Sequence, residues 1–510
     1  MFRLTTMTFP VFDPCFRASD LGCSLPNSPH AVSVCLPRWA DNIGYEESEP
    51  RVVEKLESGY PRFVLHPTVE RLFEASRSRL AQPGECCFVF PSPAVARRAA
   101  AYVGRHGDGP TRLSSLGQGL LTATCTDSRQ RKLLMQYWQH SGEIVTSRTA
   151  AAALGEQGRA ATDDAGQAAQ DTMRQRLADL LGSTPEDVYL FPTGMAAVFT
   201  AFRVFQRLWP DRRSVQFGFP YVDILKIQQR FGSGVAFFEN GSDADLNQLE
   251  QLLENEHILG LVCEFPGNPL LKSPDLARLA ASARRHEFPL LVDDTIGALI
   301  NVDVSPVADI IATSLTKYFS GKGDVMGGCL VLNPDLPLYQ RIRSTLRELY
   351  QDLLFADDAV VLERNSRNYS ERVQRINQTT ETVCEALRTH PLVERVDYPK
   401  YRTVDHYQTW MRPQAGYGGL FSIQFVDAEQ HAPAFFDRVT ISKGPNLGTD
   451  FSLCCPYTIL AHYNELDFAE SCGISRYLIR ISIGLEDADW LIRRFRSALD
   501  GCAADHDGAT

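Results

Sequence analysis

Nowhere in these 510 residues do about eighteen apolar residues run without interruption, so the sequence predicts no membrane-spanning helix. The opening residues, Met1-Phe2-Arg3-Leu4-Thr5-Thr6, lack the apolar core of a secretory signal. Basic charge is also in short supply: 51 Lys and Arg against 62 Asp and Glu leave a net charge of −11. That balance removes the electrostatic footprint of a nucleic-acid or anionic-membrane partner. The 13 cysteines include no C-x-x-C pair, and the doublets Cys86-Cys87 and Cys454-Cys455 fit neither a zinc site nor a disulfide framework. These absences predict a cytoplasmic, metal-free protein with reduced and mostly buried thiols. No internal repeat or low-complexity tract interrupts the chain. What remains is an ordinary globular composition, long enough for about two to four domains.

Residues 1–164 read as an irregular, proline-containing N-terminal region with a tail-like start and helical patches at 68–80 and 93–103. The alanine- and acid-rich stretch 150–169 leads into a helix ending near Gly182. The pattern then changes. Short apolar runs at 188–191, 214–217, 235–238, 258–265, 289–292, 308–313 and 329–332 alternate with amphipathic stretches at 194–208, 244–256 and 274–286. Such alternation predicts an α/β fold with a mostly parallel sheet covered by helices on both faces. Residues 335–388 read as long helices, with Leu346, Leu349, Leu353 and Leu354 at helical spacing. A smaller C-terminal α+β domain follows over 389–500, and 501–510 read as a frayed tail.

Ligands of parallel sheets bind at the carboxyl ends of the strands, so the residues after each apolar run carry the chemistry. Ser314-Leu315-Thr316-Lys317-Tyr318-Phe319-Ser320-Gly321 follows one run and is trailed by Asp324-Val325-Met326-Gly327-Gly328. A lysine ending a buried strand is poorly solvated, which favours the neutral, nucleophilic amine that Schiff-base chemistry needs. Ser314 and Thr316 are short donors suited to a phosphate. Thr193-Gly194-Met195 opens a helix, and free amides at a helix N-terminus also suit a phosphate. Asn268, in an Asn-Pro pair, can donate to a phenolate oxygen or simply build a turn. Asp293, in the pair Asp293-Asp294, can hold a protonated pyridine nitrogen or cap a helix. Arg480 lies in an apolar run and needs a carboxylate, either from the protein or from a substrate.

The order of these segments resembles the Cys/Met-metabolism pyridoxal-phosphate enzymes of fold type I, the cystathionine γ-synthase family. Pro29-His30-Ala31-Val32-Ser33-Val34, Trp39-Ala40-Asp41-Asn42-Ile43-Gly44-Tyr45-Glu46-Glu47, Gly59-Tyr60-Pro61-Arg62-Phe63 and Tyr137-Trp138-Gln139-His140 resemble fungal members of it. The resemblance implies pyridoxal 5'-phosphate as cofactor, with Lys317 its covalent anchor and proton shuttle and Asp293 its ring partner. It also implies Gly194, Met195, Ser314 and Thr316 at the phosphate, Asn268 at the phenolic oxygen and Arg480 at the substrate carboxylate. Tyr221, with Phe219 as alternative, would stack on the ring. Arg148, in Thr146-Ser147-Arg148, would reach the phosphate of a neighbouring subunit of a homodimer or homotetramer, although the tyrosine that accompanies it in the family is missing there.

The implied reaction is γ-substitution on an O-acyl-L-homoserine through a vinylglycine-type intermediate. Three departures from the family bear on the second substrate. Lys322-Gly323-Asp324 adds charge near the cofactor entrance, Asn446 replaces a serine, and Phe451 stands where many relatives carry a glutamate. With Asn446 and Phe451 as substrate-binding residues, these departures favour a carbon or other non-thiol nucleophile and a non-proteinogenic product. The alternatives are L-cysteine as nucleophile, giving cystathionine, and a β- or γ-lyase of the same family. A relative that keeps the fold without turnover is the remaining reading.

Overall fold

The computed structural model describes residues 13–117, 121–156 and 161–507. Three strands, β1 (Glu85–Phe90), β2 (Thr111–Ser115) and β3 (Thr122–Asp127), form an antiparallel sheet in the order β1-β3-β2. The N-terminal region is therefore structured rather than irregular, and both expected helical patches are present as Pro67–Leu80 and Pro93–His106. The β1–β3 register places Cys87 opposite Cys125, and the two are joined as a disulfide. This corrects the expectation of uniformly reduced thiols. The partner cysteines are distant in sequence and meet only through strand pairing. The other 11 cysteines remain thiols.

The central sheet has seven strands: β4 (Val188–Phe191), β5 (Ser214–Phe217), β6 (Val235–Phe238), β7 (Leu261–Glu264), β8 (Leu290–Asp293), β9 (Ile310–Thr313) and β10 (Gly328–Leu332), in the order β4-β10-β9-β8-β7-β5-β6. Only β10 runs against its neighbours. Strands β4, β5, β7, β9 and β10 are buried at every residue, as expected where helices cover both faces. One face packs on Met173 and Leu177 from helix Asp163–Leu181, which ends at Gly182 in the left-handed conformation. The other packs on helix Gly194–Leu208 and, through Phe88 and Trp138, on the N-terminal sheet. The two regions thus share one core.

The stretch after β10 holds three helices, Tyr339–Leu349, Ala356–Asn365 and Tyr369–Leu387. Leu353 and Leu354 lie between helices, contrary to their helical spacing. The helix stops because Tyr350 turns inward: its hydroxyl donates to the Leu190 carbonyl (3.0 Å) and its ring packs edge-on against Tyr189 and Phe191. The C-terminal sheet comprises β11 (Val393–Asp397), β12 (Leu420–Phe425), β13 (Ser442–Lys443), β14 (Leu453–Pro456) and β15 (Ile479–Ser482), in the order β11-β12-β15-β14-β13. The final helix, Ala488–Asp507, continues through most of the stretch expected to fray, because Leu499 and Cys502 are buried in this domain's core. Residues 508–510 lie outside the described residues.

Residues 13–60 form a strap across the C-terminal domain. The Leu36 amide donates to the Lys443 carbonyl (3.1 Å), and Val32 donates to Gly323 (2.9 Å). Trp39 stacks on Tyr477 and meets Phe436 edge-on. The strap ends by delivering Tyr60-Pro61-Arg62-Phe63 to the carboxyl ends of the central strands. No described helix is long and apolar enough to cross a membrane.

Candidate functional site

One pocket, with about 1100 Å³ of empty volume including space open to solvent, lies at those strand ends. Gly194, Met195, Tyr221, Asn268, Asp293, Ser314, Lys317 and Arg480 all line it, so eight of the residues read from the sequence converge. Lys317 follows β9. Its Nζ donates to Asn446 Oδ1 (2.6 Å) and sits 4.5 Å from the centre of the Tyr60 ring. Burial depresses the Lys317 ammonium below its ordinary value; Tyr60 opposes this, and Arg480 and Arg62 add to it. Arg372 holds the loop in place, donating to the Tyr318, Phe319 and Ser320 carbonyls at 2.9–3.0 Å.

On one side of the lysine, Thr193 caps helix Gly194–Leu208 by accepting from the Ala196 amide (3.0 Å). The first amides of that helix have no carbonyl behind them within the helix. Gly194 approaches Ser314 so closely that a Cβ there would fall 2.8 Å from the Ser314 Cβ. The result is a small cradle of amides and one hydroxyl, of the kind that fits a phosphate. On the other side, the β7–β8 register sets Glu264 beside Asp293. Burial raises the Asp293 carboxyl, and its bond from the Thr295 amide (2.9 Å) pulls against that. Burial, with Asp293 next to it, pushes Glu264 up to about 8. Among the described residues no cation pairs with Asp293, which lines the pocket and has the chemistry to hold a protonated pyridine. Asp294 takes the turn-building role, accepting from the Leu299 amide (3.1 Å). Amide cradle, ring partner and amine together fit pyridoxal phosphate.

Arg480 is 5% exposed. Its Nη2 donates to the Pro445 carbonyl (2.7 Å), its Nη1 to Asn268 Oδ1 (3.3 Å), and its guanidinium lies 4.9 Å from the Tyr457 ring centre. Among the described residues no carboxylate lies within ion-pair distance of it. Asn268 Nδ2 donates in turn to the Tyr457 hydroxyl (3.3 Å). A buried guanidinium held by neutral acceptors is prepared for a carboxylate from a ligand.

Other expected residues lie elsewhere. The Thr316 hydroxyl is turned away from the pocket, bridging the amide (3.1 Å) and carbonyl (3.3 Å) of Gly327. Phe219 packs against Phe237, His462 and Phe468, leaving the pocket wall to Tyr221. Arg148 is buried against Asp358 (3.0 Å) and the Asp324 carbonyl (2.8 Å) in its own chain. Phe451 is buried beside Leu25, Cys35 and Leu453, where the strap meets the C-terminal domain, and does not line the pocket. Lys322 pairs with Asp450, so its charge is absorbed by the protein.

Sequence reasoning assigned no role to Tyr60, Arg62, Glu46, Glu264 or Tyr457, which all line the pocket. For two of them a signal existed. Tyr60-Pro61-Arg62 has a tyrosine two residues before an arginine, the pair that is incomplete at Thr146-Ser147-Arg148. Burial alone would raise the Tyr60 phenol, but Lys317 and Arg62 outweigh it and bring the phenol below its usual value. Arg62 pairs with Asp223 and donates to the Tyr221 hydroxyl, so it anchors both tyrosines.

The model of the Cys/Met metabolism PLP-dependent enzymes matches residues 146–500, and that of the fungal trans-sulfuration enzyme N-terminal domain matches 68–146. Cystathionine gamma-synthase of Neurospora crassa is 35% identical across 94% of this chain and 98% of its own. The cystathionine gamma-synthase-like enzyme iboG2 of Amanita muscaria is 33% identical across 93% and 95%. Among solved structures, yeast cystathionine gamma-lyase superposes with a TM-score of 0.58 at 25% identity, over 68% of this chain and 88% of that one. With the lysine, the amide cradle and the unpaired acid and guanidinium already in one pocket, these likenesses place the chain in the Cys/Met-metabolism family of pyridoxal-phosphate-dependent enzymes.

Proposed function

We propose that the protein catalyses γ-replacement on an O-acyl-L-homoserine, joining Cγ to a non-thiol nucleophile, foremost a carbon acid. The observation that carries the reading is Arg480, a buried guanidinium with no carboxylate partner among the described residues, in the same pocket as Lys317. Arg480, oriented by Asn268 and Pro445, would bind the α-carboxylate and so present Cα to Lys317. The cofactor, when bound, supplies the electron sink for negative charge developing next to Cα. Asp293 would keep the ring nitrogen protonated, and the amides of Gly194 and Met195 with Ser314 would hold the phosphate. The depressed Lys317 amine is suited to take the Cα proton and then a β proton, whose electron pair expels the γ-acyloxy group, and to return protons after the nucleophile has added, with the Tyr60 phenol as its partner. Tyr221 walls the ring face. Overall the γ-acyloxy group leaves as a carboxylate, and the nucleophile exchanges a proton for the new bond to Cγ.

The nucleophile is argued from the pocket's cations. Lys322 and Phe451 bear on it no longer, since both are used structurally. Arg62 is tied to Asp223, leaving Arg480 as the single lining guanidinium free of a carboxylate among the described residues. A nucleophile bringing its own free carboxylate would lack a second cation and would meet Glu46. Cystathionine synthesis from L-cysteine is the second reading, favoured by the near full-length likeness to the Neurospora crassa enzyme.

The test is to incubate the holoenzyme with O-acetyl-L-homoserine and either L-cysteine or a neutral 1,3-diketone, and to read products by mass. The carbon adduct is expected. Cystathionine as the sole efficient product would replace the first reading by the second. The visible absorbance of the lysine-bound cofactor should vanish in Lys317→Ala; its absence from parent protein supplied with cofactor would overturn both.

A further inference from the structure

We propose that Glu46 accepts the proton of the incoming nucleophile as its bond to Cγ forms, in a subsite that it shares with Tyr45, Phe63, Leu460 and Ala461 and that takes neutral carbon acids. The inference rests on the γ-replacement reading above and names the group on which that reading is silent.

The pocket wall built by the strap carries none of the residues placed at the phosphate, the ring or the α-carboxylate. Tyr45 packs with Leu460 in one small apolar cluster, which sets the helix Trp39–Glu46 against the helix Tyr457–His462. Glu46 is the last residue of its helix and lines the pocket on this wall. No side chain among the described residues hydrogen-bonds or ion-pairs with its carboxylate. The Tyr45 phenol lies near enough to feel Glu46, and burial with that carboxylate raises it, so it stays neutral. Other ionisable groups nearby are engaged elsewhere: Arg51 with Asp41 and Glu49, His462 with Glu465, the Tyr463 hydroxyl with Glu47, and Asp437 with the Trp39 amide. A carboxylate at the negative end of a helix, in an apolar wall and with no cation, holds a proton more tightly than usual. Burial pushes Glu46 up to about 8. A base in that range is matched to removing a proton near neutral pH.

The step balances. The C–H electron pair of the 1,3-dicarbonyl becomes the new C–Cγ bond and its proton moves to a Glu46 oxygen, while the Cβ–Cγ π pair left by loss of the β proton and the γ-acyloxy group moves to Cβ, which takes back a proton from Lys317. Glu46 then returns the proton to solvent through the open side of the pocket.

The test uses the holoenzyme with O-acetyl-L-homoserine and two probes: 2,4-pentanedione, largely protonated at neutral pH, and a more acidic cyclic 1,3-diketone already ionised there. In Glu46→Gln, acetate release and the cofactor absorbance should match the parent, while addition of 2,4-pentanedione falls on the order of 100-fold or more. Addition of the ionised diketone should fall far less. The parent's rate with 2,4-pentanedione should rise with pH to about 8, as Glu46 ionises, and that limb should be absent from the variant. Glu46→Asp should restore part of the rate and the limb. Equal losses for both probes mark a structural role and overturn the inference, as does a Glu46→Gln rate equal to the parent's. A parent that releases acetate yet adds neither diketone overturns the proposed carbon nucleophile and this inference with it.

Discussion

Replacing Asp223 by Asn should cost the protein about 3–5 kcal/mol of stability, because it strands a buried charge. The Arg62 and Asp223 side chains are 2% and 0% exposed. Asp223 also accepts from Gln139 Nε2 (3.0 Å) and His140 Nδ1 (2.9 Å), so its carboxylate is fully surrounded by donors. Asn keeps the shape and one acceptor but gives Arg62 no counter-charge. Titration offers a second route to the magnitude. Burial opposes ionisation of Asp223, yet Arg62 and His140 outweigh it and bring its pKa from 3.8 to about 2. That depression corresponds to about 2 kcal/mol. This contribution is complete above the unfolded value near 3.8 and is lost as pH falls through that value toward 2. The titration figure is smaller because protonation retains a hydrogen-bonding group and counts only the difference between two forms of one side chain. Urea unfolding followed by circular dichroism, at neutral pH and at intervals down to pH 3, measures both. The variant should unfold at lower urea and show a flatter acid limb than the parent. Removing both charges, as Arg62→Met with Asp223→Leu, should recover much of the stability while leaving cofactor binding impaired, since Arg62 also holds Tyr221. A loss below about 1 kcal/mol in Asp223→Asn, or a double variant as unstable as the single one, would refute the reasoning.

Tyr60→Phe should leave folding and cofactor absorbance intact yet lower kcat by about 100-fold, with its largest change in the pH profile on the side governed by the phenol. Arg480→Ala should raise KM for the amino-acid substrate by roughly 100-fold through loss of a charge-assisted pair, without releasing the cofactor; equilibrium dialysis separates the two effects. In Gly194→Ala the new methyl meets Ser314, so cofactor affinity should fall by about 1–3 kcal/mol, visible as a weaker absorbance titration.

The central sheet could be read from the sequence because its strands are short, apolar on both faces and separated by amphipathic helices. Lys317, Asp293, Asn268 and Gly194 are legible for the same reason: each ends a strand or follows one closely, and strand ends in parallel sheets face one crevice. Failures arose where a side chain's direction depends on tertiary packing. Thr316 is only two residues from Ser314, yet its hydroxyl turns to Gly327 while Ser314 faces the pocket. The type of residue at Phe451 suggests a changed site residue, but its burial beside Leu25 and Cys35 makes it a packing contact with the strap. Glu46 could not be placed from its neighbours in sequence, because its helix reaches the site through contacts with Leu460 and Tyr477, more than four hundred positions later. The Cys87–Cys125 pair was hidden likewise, since only the β1–β3 register brings those thiols together.

The strap also sets an order of assembly. Leu36 has no place to dock until Lys443 exists, and the Cys15 carbonyl waits for the Lys443 amide. The stretch that carries Trp39 and Glu46 therefore docks only once the C-terminal domain has formed. Tyr60 and Arg62 do not wait for it, since Lys317, Tyr221 and Asp223 all belong to the central region. The cofactor cradle can thus form with its two strap residues in place before the wall that bears Glu46 closes over it.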